Sequence, residues 1–114
     1  MFISNSVFSQ TRTTEYKYKG YIGNSEVFVT FEELDHHYDR IQGYYVYTKY
    51  NKRIYFEGES GVFDGKQKLT ENVGGTNTGY FIFYNLNYSS NSVQGKWFSM
   101  DGNRSYNVTL SKDN

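Results

Sequence analysis

Ile41-Gln42-Gly43-Tyr44-Tyr45 returns as Val93-Gln94-Gly95-Lys96-Trp97, and each copy runs through a polar turn, Asn51-Lys52 or Asp101-Gly102-Asn103, into another alternating segment. The same hairpin start is used twice. A repeated apolar-Gln-Gly-x-aromatic strand start predicts an all-β meander, because each hairpin has one apolar face and must share a core with its neighbours.

Outward from these two copies, alternation predicts eight strands near residues 15–22, 26–33, 41–49, 52–58, 67–72, 79–86, 92–99 and 105–110. The punctuation between them suits tight turns: Gly23-Asn24, Asn51-Lys52, Asp64-Gly65, Gly74-Gly75 and Asp101-Gly102 tolerate positive φ. Consecutive strands should pair antiparallel. The charged stretch Glu32 to Arg40 is long enough for one helical turn but is more simply read as a solvated loop. Parity puts Val27, Val29 and Phe31 on one face with Ile54, Phe56, Phe81, Phe83, Val93, Trp97, Tyr106, Val108 and Leu110. Trp97, the sole Trp, stands where Tyr45 stands in the first copy and is expected to be a buried core anchor. Gly20, Gly43, Gly79 and Gly95 share the inward parity, where a missing Cβ permits the coiling that a closing sheet needs. The expected fold is an antiparallel up-and-down barrel, with an interior that large aromatics fill.

A chain of 114 residues supports one such domain, taken as residues 14–112. Residues 1–13 are expected to be a disordered leader or signal-peptide remnant, since Val7-Phe8-Ser9 before Gln10 fits a signal-peptidase site. That pattern predicts a secreted or periplasmic location. Aromatics make up 20% of the chain with no Pro and a mean hydropathy of -0.76, which suits amphipathic strands. Lys plus Arg equals Asp plus Glu at 12 each, alternating along the chain, so no nucleic-acid partner is expected. Zero Cys excludes disulfides and thiolate chemistry, and no apolar run reaches the length of a membrane span.

Several segments extend the reading: Lys19-Gly20-Tyr21-Ile22-Gly23, Ile41 to Tyr47, Phe56-Glu57-Gly58, Leu69-Thr70-Glu71, and Gln94-Gly95-Lys96-Trp97 before Asp101-Gly102. In that order they resemble a recurrent small secreted bacterial β-domain, over about Tyr18 to Leu110. The Gly-x-Trp element is similar to the strand signature of avidin-like and lipocalin-like barrels. This resemblance implies a calycin-type barrel, and with it a carrier of a small apolar ligand as one functional class. The biotin-contacting residues of avidins have no matching positions here, so biotin is not carried over.

Imidazoles and carboxylates concentrate in Asp35-His36-His37-Tyr38-Asp39, but adjacent His side chains diverge in an extended chain and further ligands are lacking, so neither a metal nor another cofactor is expected. Gly74-Gly75-Thr76 lacks the Lys of a phosphate-binding loop. A small hydrolase would have to use Glu57 or Glu71 opposite a second carboxyl; Glu57 is expected outward near Arg53 and Glu71 at a strand end.

The opposite strand face is the anomaly. Tyr21, Phe28, Tyr44, Val46, Tyr55, Tyr80, Ile82, Tyr84 and Phe98 all fall on outward parity, an apolar surface large enough to suggest contact with a partner. The leading expectation is a non-enzymatic binding or inhibitory module contacting a protein or glycan through Tyr21, Tyr44, Tyr55, Tyr80, Tyr84 and Phe98. A homodimer through the same aromatic face is the oligomeric form this surface would give. The ligand carrier and the small hydrolase are the alternatives.

Overall fold

The computed structural model describes residues 13–34, 40–59, 66–84, 86 and 90–113. Eight strands form a closed barrel in chain order: β1 (Thr13–Ile22), β2 (Ser25–Leu34), β3 (Arg40–Tyr47), β4 (Arg53–Glu59), β5 (Gln67–Val73), β6 (Thr76–Phe83), β7 (Ser92–Ser99) and β8 (Ser105–Lys112). Every neighbouring pair is antiparallel. The ring closes where β1 meets β8, from Tyr18 opposite Lys112 to Ile22 opposite Val108, while Thr13 to Lys17 pair with β2 beyond that seam. The meander and its closure match the expectation from the repeated hairpin starts.

Most strand ends fall one to three residues from the expected positions, and two of the shifts have a clear local reason. β3 stops at Tyr47 because its carbonyl accepts from the amides of Tyr50 and Asn51, curling the chain into a turn that leaves Asn51 at a φ of 52°. β6 begins at Thr76 because Gly74 and Gly75, at φ of 60° and 89°, reverse the chain in two residues. Pairing then slips between Glu71 opposite Gly79 and Asn72 opposite Asn77, which leaves Thr78 as the extra residue of a bulge.

The turns after β1, β3, β5 and β7, two of them of only two residues, gather at one end of the barrel, the tight-turn end, and the connections after β2, β4 and β6 at the other. Inside, Phe31 meets Tyr18 edge-on at 5.6 Å and Phe83 at 5.5 Å, and tilts against Phe56 at 5.7 Å. Because β2 and β6 stand four strands apart in a ring of eight, the contact of Phe31 with Phe83 crosses the barrel. Phe81 continues the column, stacked on Phe83 at 5.3 Å and edge-on to Tyr45 at 5.3 Å. The repeat has a plain structural role: Gly43 lies between Phe31 and Phe56, and Gly95 between Phe83 and Val108, on opposite walls, where a Cβ would run into the backbone carbonyl of Thr30 or Ile82 and crowd the ring of Phe56 or Phe83. Interior packing of this kind is the main stabilising contribution in so small a domain.

Parity assigned the faces correctly for Val27, Val29, Phe31, Phe56, Phe81, Phe83, Val93, Val108 and Leu110, all buried, and Ile54 packs against them. Two inward assignments need correction. Tyr106 is 44% exposed, because β8 starts at the rim and its first inward position reaches past the core. Trp97 is partly buried, lying between Gly79 below and Tyr106 above, onto which it stacks at 5.8 Å, so it closes the core at the tight-turn end and does not occupy its centre. The cluster Asp35 to Asp39 and residues 1–12 lie outside the described residues, while Thr13 already belongs to β1. Among the described residues no group of His, Cys, Asp and Glu could hold a metal ion, and no helix could cross a membrane.

Candidate binding surface

On a barrel strand, alternate side chains point to solvent, and antiparallel pairing lines them up in rows across the sheet. On the outer surface of β5, β6 and β7 three such rows follow from the register. Thr70, Tyr80 and Phe98 form one; Lys68, Ile82 and Lys96 form the next; Lys66, Tyr84 and Gln94 lie beyond it. A groove of about 520 Å³ runs over them, lined by Lys66, Lys68, Tyr80, Ile82, Tyr84, Lys96 and Phe98. Tyr80 and Phe98 stack at 5.2 Å with ring planes 18° apart. The Lys68 ammonium sits 4.7 Å from the centre of the Tyr80 ring, and that of Lys66 5.7 Å from Tyr84. Cations held over aromatic faces in this way keep both groups ordered at a surface.

Of the aromatics expected on the outer face, Tyr80, Tyr84 and Phe98 come together here. Tyr44 and Tyr55 form a separate patch on β3 and β4, with rings 5.8 Å apart and the Arg53 guanidinium 4.1 Å above Tyr44. Thr70 and Asn72, two of the outward residues of β5, separate the two patches. Tyr21 stands apart on β1, 50% exposed. The single aromatic face suggested by parity is therefore divided, because a barrel wraps one sheet surface around a full circle.

Sequence reasoning missed the lysines. Along the chain basic and acidic residues alternate, yet Lys66, Lys68 and Lys96 share outward parity, and pairing of β5 and β7 with β6 assembles them. Among the described residues the ion pairs lie elsewhere, at Lys17 with Glu15 and at Lys19 with Asp113. Parity applied to charged as well as apolar residues would have placed each lysine outward, but only the register of β5, β6 and β7 makes them neighbours.

The two carboxyls named for hydrolysis do not meet. Glu57 points outward from β4, as expected, but Arg53 packs over Tyr44. Glu71 is not a solvated strand end: it is 5% exposed and faces inward. The Tyr45 hydroxyl donates to its Oε1 at 2.7 Å, the Trp97 indole N–H to the same oxygen at 3.0 Å, and the Thr78 hydroxyl to Oε2 at 2.7 Å. The bulge at Thr78 supplies the third donor. The barrel wall thus separates Glu57 from Glu71. Burial and the adjoining Glu71 push the Tyr45 phenol far above its ordinary pKa, and burial raises that of Tyr47. Above this layer, at the tight-turn mouth, a cavity of about 480 Å³ is bounded by Ile22, Tyr47, Trp97, Arg104 and Tyr106 among others.

Compared with protein-family models, curated proteins and solved structures, the chain matches none.

Proposed function

We propose that the protein is a non-enzymatic binding module, secreted or held in the cell envelope, which contacts a protein or glycan through outward aromatics. The working surface is the outer face of β5 to β7. The observation that carries this reading is the stacked Tyr80–Phe98 pair beside Tyr84, bordering an open groove of about 520 Å³. Rigid aromatics with polar tips give large contact area at little cost in side-chain entropy, and such positions dominate binding energetics. A core crowded with Phe31, Phe56, Phe81 and Phe83 favours a surface role over carriage of a ligand in the interior.

The test compares two surface variants. Tyr80→Ser with Tyr84→Ser and Phe98→Ser should keep the fold and lose partner capture from source-cell extracts, whereas Tyr44→Ser with Tyr55→Ser should keep both. Capture undiminished in both variants overturns the proposal.

A second reading has one observation in its favour: the cavity of about 480 Å³ at the tight-turn mouth could seat a small ligand against Tyr47, Trp97 and Tyr106. A ligand retained through purification and seen by native mass spectrometry would establish that carrier role.

A further inference from the structure

We propose that the β5–β7 face takes an acidic glycan, a saccharide chain bearing uronate carboxylates. This rests on the reading of the protein as a binding module and names the chemistry of its ligand. Lys68 and Lys96 flank Ile82 in one row, so their strands are two spacings apart, roughly 10 Å by the geometry of a sheet. Lys66 lies two residues before Lys68 on the same outward parity. No acidic side chain among the described residues lines the groove. A surface of this kind is complementary to an anion whose charges are spaced along a chain. Each ammonium can donate a charge-assisted hydrogen bond to a carboxylate. The phenols of Tyr80 and Tyr84, one on either side of the lysine row, can exchange hydrogen bonds with sugar hydroxyls.

The aromatic geometry favours a glycan over single-stranded nucleic acid. Base stacking needs open ring faces at successive positions. Tyr80 has Phe98 on its β7 side and the Lys68 ammonium on its β5 side, so both faces are covered. Phe98 is different: its register partner on β8 is Ser105, too small to cover the ring, which leaves room for the apolar face of one sugar. A formal net charge of zero also gives little long-range attraction for a dense polyphosphate, whereas a sparsely charged saccharide relies on contacts made at the groove.

The experiment titrates a hexamer of galacturonic acid into the ¹⁵N-labelled full chain and follows the amide resonances. Shifts should concentrate at Lys68, Tyr80, Ile82, Lys96 and Phe98, weaken with added salt, and be absent with a neutral chitin hexamer. Lys68→Ala and Lys96→Ala should each reduce affinity about tenfold, the loss expected for one charge-assisted contact. Lys17→Ala, off this face, should leave it unchanged, and Trp97 fluorescence reports that each variant is folded. The inference is overturned if the oligogalacturonate leaves this face unshifted, or if a dextran sulfate fragment, which has no uronate, or an oligothymidylate of matched charge binds it more tightly. With the binding-module reading intact, the aromatic Ser variants would still lose partner capture in that event; if capture also persists, both fail.

Discussion

Tyr45 and Trp97 donate to the same oxygen, Oε1 of Glu71, from strands on opposite walls of the barrel. They occupy corresponding positions in the two repeated hairpin starts, and each lies 26 residues from Glu71 in the chain. β5 stands midway between β3 and β7 in the ring, so its inward Glu71 is reached from both sides. The repeated sequence therefore supplies two donors to one acceptor. Buried polar groups satisfied in this way tie walls together that apolar contacts alone would hold in less defined positions.

Removal of the acceptor should be the most damaging change at this layer. Glu71→Ala strands the buried Tyr45 hydroxyl and the partly buried Trp97 N–H, while the exposed Thr78 hydroxyl can turn to water, and should cost about 2–3 kcal/mol, since a buried unpaired donor costs roughly 1–3 kcal/mol. Tyr45→Phe and Trp97→Phe should each cost less. Their double mutant should deviate from additivity by about 0.5–3 kcal/mol, as residues sharing one partner do. Urea unfolding of the set measures all of these values, and an unchanged midpoint for Glu71→Ala would refute the role of the carboxyl.

Trp97 should lose its position when Gly79 gains a side chain. A Cβ there would lie 2.5 Å from the indole Cζ2, so Gly79→Ala must displace the ring and should destabilise by about 1–3 kcal/mol, the usual range for overpacking. Emission from this sole Trp should move to the red and become more accessible to iodide. Native fluorescence should begin between buried and exposed values, because the indole borders the mouth cavity. Trp97→Ala should cost about 2–3 kcal/mol in urea unfolding, below the roughly 3–5 kcal/mol of a Trp at the centre of a core.

Alkaline pH should unfold the barrel through Tyr45. Its folded pKa is raised, so its contribution is fully present below the unfolded value, about 10 for tyrosine, and declines as pH climbs above it, where the unfolded chain releases the proton and the folded one retains it. Melting temperature should fall above that pH, and less steeply in Tyr45→Phe. Parallel slopes for the two proteins would place the alkaline transition elsewhere.

Acid should loosen the turn between β7 and β8. The Ser99 hydroxyl donates to Asp101 at 2.7 Å and the Asn103 amide donates at 2.9 Å, holding the Asp101 carboxyl below its ordinary pKa. This contribution is present above the unfolded value, about 3.9, and is lost as pH falls through the lower folded one. Asp101→Asn should flatten the acid limb of the stability curve, and amide exchange at Gly102 and Asn103 should quicken first in the wild-type chain.

The strands, their order and most of the core were legible because alternation has a period of two and turn residues mark its interruptions. Phe31, Phe81 and Phe83 could be placed inside on parity alone. Glu71 could not: a charged residue on inward parity reads as a strand end unless its donors are known, and these come from β3, β6 and β7. Tyr106 failed for the converse reason, since parity gives a direction and says nothing of depth along the barrel. The lysine row escaped because registration of three strands, which local sequence does not encode, creates it.

The seam between β1 and β8 has a consequence for biosynthesis. All other strand pairings join neighbours in the chain, and each can form as soon as its hairpin is made. The last cannot: Gly20 must wait for Leu110 and Ile22 for Val108. During synthesis the sheet must therefore persist open, its first strand exposed along one edge and its phenylalanine face incompletely covered, until residues 105–112 arrive. Ring closure is then a single late event joining the two ends of the domain. Its dependence on so distant a contact makes it the natural slow step of folding and the stage at which a chaperone or a second nascent chain would compete for the edge.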